Sequence, residues 1–258
     1  MRQHKTLLMT CIVVIASTAG FFLRREALAT VFDPYSGLVS PRAPINIALM
    51  VLSLITLLFL LIFSKTTVPR NSIKSYKDGF AGGVVLRCVL GVLGISVAGF
   101  AVFEALIVGF SVLGIRNVIF VVGGVLAGLC LLYTALRGTQ GGASAATSVA
   151  PVLWLCFWLV SAYIDEAMNP VILSYLYFFF ALIFLVLGLY YLSGFAFGLG
   201  NAKKFLFFAP TAVYFTGVTM ADTHSLPRQG MLLSLAVLLL IYQNILGRNL
   251  ANDKRGDS

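Results

Sequence analysis

Nine carboxylates and two histidines are all that this chain offers for acid–base or metal chemistry, and three of their positions invite attention. Glu104 closes an apolar stretch, Cys88 to Phe103, whose other end is Arg87. At 1.5 Å per helical residue the two Cα atoms stand about 25 Å apart, less than the roughly 30 Å of a bilayer core. At least one end is therefore drawn inward. Arginine can snorkel along its stem, glutamate is shorter, and Ala105 to Phe110 continue the apolar run. Glu104 is thus expected in the outer leaflet, where an ionisable group faces a bundle interior, pairs with a base or serves an ion or proton path. The competing reading ends the helix at Phe103 and leaves Glu104 wet at the interface, near Arg116.

Asp165 and Glu166 follow the fifth apolar run, and Asp222 and His224 follow the seventh. If these turns meet Glu104 they supply oxygen ligands and one imidazole, the donor set for a divalent cation, a cationic solute or metal-assisted hydrolysis. Short external turns are also polar for no other reason than exposure, and that reading stands beside it. Pro210 lies deep inside the seventh run, with Thr211, Tyr214, Thr216, Gly217 and Thr219 around it. A proline there frees backbone groups, so a kink or a discontinuous helix is expected, with hydroxyls that satisfy those groups or line a passage. Glu104, Arg87, Pro210, Thr211 and Tyr214 are accordingly the candidates for a transport path.

Exclusions are firmer. No G-x-x-x-x-G-K-[ST], H-E-x-x-H, G-x-S-x-G or C-x-x-C occurs. His4 and His224 are expected on opposite sides, which removes bis-histidine haem and three-histidine zinc. None of the seven lysines falls within an apolar run, so no Schiff-base lysine is available there. Cys11, Cys88, Cys130 and Cys156 are far apart and read as small apolar side chains. No cofactor is expected.

The elements that must position these residues follow from composition. Of the 258 residues, 60% are hydrophobic and 10% charged, and mean hydropathy is +0.99. Such a chain is a polytopic integral membrane protein, an all-α bundle. Eight transmembrane helices are expected at Thr6–Leu23, Pro44–Phe63, Arg87–Phe110, Asn117–Leu136, Ser148–Ile164, Pro170–Phe197, Phe205–Met220 and Pro227–Gly247. Prolines 44, 151, 170 and 227 are read as first-turn residues, where the missing N–H is harmless. The first run is read as an uncleaved anchor, since further spans follow. The sixth, 28 residues and about 42 Å long, must tilt or project. Tyr175, Tyr177, Tyr190 and Tyr191 bracket its middle as interface anchors do.

Residues 1–248 form one transmembrane domain and 249–258 a short polar tail. Of the eighteen lysines and arginines, thirteen fall on the side of the two termini. Only Arg24, Arg25, Arg42, Arg116 and Arg228 fall on the other. The positive-inside rule then places both termini in the cytoplasm and accounts for the net charge of +9 without a nucleic-acid partner. The basic loop Ser64 to Asp78 can also attract anionic headgroups.

Fourteen of the 24 glycines fall between Gly79 and Gly142, so the third and fourth spans should pack closest. Gly124 and Gly128 form a small-xxx-small face there. The expected partners are the lipid bilayer and either a membrane-protein partner or a second copy, in a multi-pass cell-membrane setting of the prokaryotic plasma-membrane kind. With no loop large enough for a soluble domain, the first expectation is a small-solute or ion transporter, or the membrane subunit of a transport system. A non-catalytic accessory or scaffold subunit is second. An intramembrane lipid- or peptide-processing enzyme is third, because it has only the outer carboxylates and His224 as acid or base.

Overall fold

A computed structural model describes residues 2–31, 43–68, 73–81, 83–108, 114–137, 142–167 and 171–253. Among these there are nine helices and no strand. They are α1 (Arg2–Thr30), α2 (Pro44–Thr67), α3 (Tyr76–Gly79), α4 (Val84–Val108), α5 (Ile115–Arg137), α6 (Gly142–Glu166), α7 (Ile172–Ala196), α8 (Ala202–Thr219) and α9 (Leu226–Asp253). Seven are long and apolar enough to cross a bilayer: all but α3 and α8. Each of the eight expected spans coincides with a long helix. Leu54, Ile55, Leu58 and Ile62 on α2 and Val92, Ile95, Leu106 and Ile107 on α4 are exposed. That much bare hydrocarbon suits lipid and not water.

α4, α5, α6 and α7 pack as sequence neighbours, and α8 and α9 close the arc, with α9 against α4. α1 and α2 lie on the far side of α8. Thr10 of α1 bonds to Asn244 of α9, and Arg24 of α1 to Asp222 just before α9. The start of α1 and the end of α9 therefore share one face of the bundle, here the terminal face; the opposite one is the distal face.

α8 explains its own low hydropathy. It packs against α1, α2, α7 and α9, and twelve of its eighteen residues are buried. A helix surrounded by protein has no need of a lipid-facing apolar surface, so Lys203, Lys204, Pro210 and three threonines are tolerated. Pro210 does not break it: α8 is continuous from Ala202 to Thr219, and the Thr211 hydroxyl donates to the Phe207 carbonyl. Of the two readings, a kink or a discontinuous helix, the discontinuous one does not hold.

Other boundaries also move. Pro151 is interior to α6, which starts nine residues earlier at Gly142, while Pro44 is at the first turn of α2 as expected. α7 covers 25 residues; Pro170 lies outside the described residues. The polar tail is shorter than expected, because α9 runs on to Asp253 with Leu250 buried, and Asn249 donates to the Gly79 carbonyl at 2.8 Å. Residues 254–258 and Arg42 lie outside the described residues, as does the side chain of His4.

The glycine face works within the chain. A Cβ on Gly128 would come within 2.6 Å of the Gly94 carbonyl oxygen and 2.7 Å of the Ala98 nitrogen, and one on Gly94 would meet backbone of α5 at 2.7 Å. The α4–α5 approach is backbone to backbone. Gly128→Ala should therefore lower stability by about 1–3 kcal/mol, the usual result of overfilling a closed contact. Gly99→Ala, with nothing within 4 Å, should be neutral or slightly stabilising. Thermal unfolding of both variants in detergent checks this, and equal melting points would refute so close an approach.

Candidate functional site

Arg24 is the largest fully buried side chain described in the protein, 1% exposed. α1 continues seven residues beyond the expected end at Leu23, which carries Arg24 into the bundle instead of into an external loop. Its Nε donates to Asp222 Oδ1 at 2.8 Å, Nη1 to the Leu173 carbonyl at 3.0 Å and Nη2 to the Ser174 carbonyl at 2.8 Å. The guanidinium stands 5.3 Å from the Tyr177 ring centroid. Asp222 Oδ2 accepts from the Thr219 hydroxyl at 2.6 Å, and its carbonyl accepts from Gln229 Nε2 and the His224 N–H, both at 2.9 Å. One ion pair thus ties α1, the first turn of α7, the end of α8 and the start of α9.

Glu104 forms a second knot. α4 passes through it to Val108, so the helix does not end at Phe103, and Glu104 is 4% exposed. It accepts from Arg228 Nε at 2.7 Å and from the Ser225 hydroxyl at 2.8 Å. Its partner is not Arg116, which pairs with Asp165 at 2.5 Å in a half-exposed surface bridge. Arg87, at the opposite end of α4, is exposed and takes no part.

Beside the Glu104–Arg228 knot a cavity of ≈ 60 Å³ opens on the distal face. That is room for a few waters. Asp165, Glu166, His224, Arg116 and Arg228 line it, with Phe120, Trp158 and Phe178 as apolar walls. The two acidic turns anticipated from sequence do converge here, except that Asp222 is committed to Arg24. Among the described residues no three His, Cys, Asp or Glu side chains are grouped to hold a metal ion. The His224 ring rests on Phe178, 4.3 Å between centroids, and its buried Nε2 has no hydrogen-bond partner. Burial lowers the His224 pKa below its ordinary value; Arg228 and Arg24 add to this, while Asp222 and Glu166 oppose it.

Polar groups continue inward along α8. One helical turn below Thr219, Thr216 is 1% exposed and its hydroxyl has no partner. Close by, Tyr214 bonds to Ser53 at 2.9 Å, and Ser17 approaches the Tyr214 and Val213 carbonyls at 3.4 and 3.5 Å. α1 and α8 are pressed together at this level, since a Cβ on Gly217 would overlap the Ser17 hydroxyl. A third tier lies about 10 Å further along α1. There Gln243 Nε2 donates to the Thr10 hydroxyl at 3.2 Å, Asn244 sits 3.0 Å from the same hydroxyl, and Gln243 Oε1 has no partner although the residue is wholly buried. Pro210, Thr211 and Tyr214 are all buried in α8, but Thr211 spends its hydroxyl on its own helix.

The sequence alone presents Arg24 and Arg228 only as orientation signals, and Gln243 does not stand out in it. For Arg24 the available signal was continuity: Glu26-Ala27-Leu28-Ala29 can prolong the first helix past it. The chain matches no protein-family model, and neither a curated protein nor a solved structure shows significant similarity to it.

The two kinds of ion pair should respond differently. Asp222→Asn leaves a buried guanidinium without its counter-charge and should cost about 3–5 kcal/mol, whereas Arg24→Met with Asp222→Leu should recover most of that loss. Asp165→Asn, at the half-exposed bridge, should cost less than about 1 kcal/mol. Denaturant unfolding in mixed micelles ranks the three, and an Asp222→Asn protein as stable as Asp165→Asn would refute the assignment.

His224 gives a pH dependence of definite sign. Its folded-state pKa lies below the ordinary 6.5, so the stability it contributes is complete above that pH and falls as the pH drops through 6.5 and below. Melting curves between pH 8 and about 5 should show His224→Gln losing less stability on acidification than the unaltered protein. Parallel curves would dissociate His224 from the effect.

Proposed function

We propose that this protein is a transport-type membrane protein, acting alone or as the membrane subunit of a larger system, whose path follows the α1/α8/α9 interface. The observation that carries the reading is the pair of wholly buried but unsatisfied oxygens, Thr216 Oγ1 on α8 and Gln243 Oε1 on α9, the latter residue bonded to Thr10 of α1. A polar group left unpaired in an apolar interior costs at least 1–3 kcal/mol in round terms. Such groups are kept where water or a polar solute supplies the missing partner at some stage of a cycle.

In this reading the distal knots are the closed gate. Arg24–Asp222 and Glu104–Arg228 join five helices across the mouth, and Arg228 also lines the His224 cavity. α8 is the element whose displacement opens the path: Tyr214 bonds to Ser53 of α2, and Gly217 and Gly20 bring it close against α1. The terminal face is the cytoplasmic one, on the thirteen-to-five division of cations. The solute is small and polar, because the tiers present hydroxyls and carboxamides and no unpaired formal charge among the described residues.

The scaffold reading has less to stand on, since the close-packing glycines Gly94, Gly124 and Gly128 are occupied by the chain's own Ala101, Trp154 and opposing backbones. Cysteine accessibility tests the transport reading without knowledge of the solute. In a background with Cys11, Cys88, Cys130 and Cys156 replaced, Thr216→Cys and Gln243→Cys should react with a small water-soluble thiosulfonate. Val13→Cys, in the apolar stretch between the tiers, should react at least tenfold more slowly. Failure of both polar-tier cysteines to react in membranes would mean a dry core and end the proposal.

A further inference from the structure

α1 and α4 both pack on α9 but not on each other. Between them, on the terminal half of the bundle, lies a groove of ≈ 600 Å³ floored by α9. Its size is within the range of about 300–1,000 Å³ typical of ligand sites. Its walls are hydrocarbon: Leu7 from α1, Val85 and Val89 from α4, Ile241 from α9. Leu7, Val85 and Val89 are 48%, 79% and 43% exposed, so the groove opens sideways between membrane-crossing helices. Polarity is confined mostly to the terminal end, where Asn244, Arg248 and Asn249 line it. Asn249 is held by the Gly79 and Ala81 carbonyls, which fixes the segment before α4 as an end wall. Arg248 is exposed and no carboxylate of the described residues lies within ion-pair distance of it.

We propose that this groove holds one phospholipid with an anionic headgroup, its phosphate at Arg248 and an acyl chain along Leu7, Val85, Val89 and Ile241. The shape fits a lipid and not a free anion, because a cation stands at one end of an apolar trough that opens toward the bilayer. Charge complementarity selects the anionic class: among the described side chains eight basic residues stand at the terminal end of the bundle, Arg248 among them, against one carboxylate, Asp78. Basic pockets between helices on such a face are a recurrent headgroup site. The inference does not rest on the transport reading, although Asn244 lines the groove and also bonds to Thr10 of the third tier; it needs only that these helices are embedded.

The test uses the full-length protein reconstituted in equimolar phosphatidylglycerol and phosphatidylethanolamine, extracted in mild detergent and weighed by native mass spectrometry. One phosphatidylglycerol should remain per chain. Arg248→Gln should weaken its retention about fivefold, the factor expected for one headgroup cation. Val89→Trp, which fills the trough, should displace the lipid while melting like the unaltered protein. If Val89→Trp fails to fold, Val85→Phe provides the same arm at a more exposed position. Retention without headgroup preference, retention unaffected by both substitutions, or a lipid-free dimer would each overturn the assignment.

Discussion

A guanidinium with 1% exposure, inside a bundle of hydrocarbon-coated helices, is the condition around which the distal half of this protein is arranged. Removing Arg24 from water is tolerable only because Asp222 neutralises it and two carbonyls of α7 accept its remaining protons. Asp222 in turn needs Thr219, and its backbone needs Gln229, so the requirement propagates into α8 and α9. The α8–α9 turn is thereby fixed, which delivers Ser225 and Arg228 to Glu104 and leaves His224 over the cavity. Each knot is stable because every formal charge in it is matched. Removing one member exposes the others to the low dielectric.

α8 shows the same economy from the other direction. A helix that faces lipid must be apolar along its surface, and one that faces only protein may carry any polar group its neighbours can satisfy. α8 uses that freedom for Tyr214 with Ser53, and for Thr219 with Asp222. Thr216 and, on α9, Gln243 go beyond what the neighbours satisfy. Those two unmatched oxygens set the buried polar residues of α8 and α9 apart from the α4/α5 seam. The latter is closed by glycine backbones and the Trp154 indole, with its N–H satisfied by the Phe120 carbonyl.

The positions of the seven long apolar helices were legible because each is a property of a continuous segment: about twenty apolar residues, bounded by charges or turns, have no other stable state in a bilayer; α8 was legible as the shorter run Phe205–Met220 but not as a helix enclosed by protein. Local signals misled where context decides. Pro151 looks like a helix start but is interior to α6, since a span in lipid has few ways to satisfy its backbone except by remaining helical. Glu104 could be suspected from the short stretch Cys88 to Phe103, yet its base, Arg228, is 124 positions away. The convergence of Asp165, Glu166 and His224 could be raised as a possibility and no more, because turn residues carry no record of which turns are neighbours.

Sequence by itself determined that this is a membrane-embedded helical bundle, with cations concentrated on one side and no motif for nucleotide, haem or catalytic zinc. Those conclusions depend on composition and short-range order, to which each residue contributes independently. Only the tertiary structure decided that α8 is the buried axis, that Arg24 and Arg228 are structural counter-ions and not merely orientation signals, and which hydroxyls and carboxamides remain unpaired. Pairing is a relation between residues distant in the chain, and in a low-dielectric interior that relation, not the identity of either residue, sets the free energy.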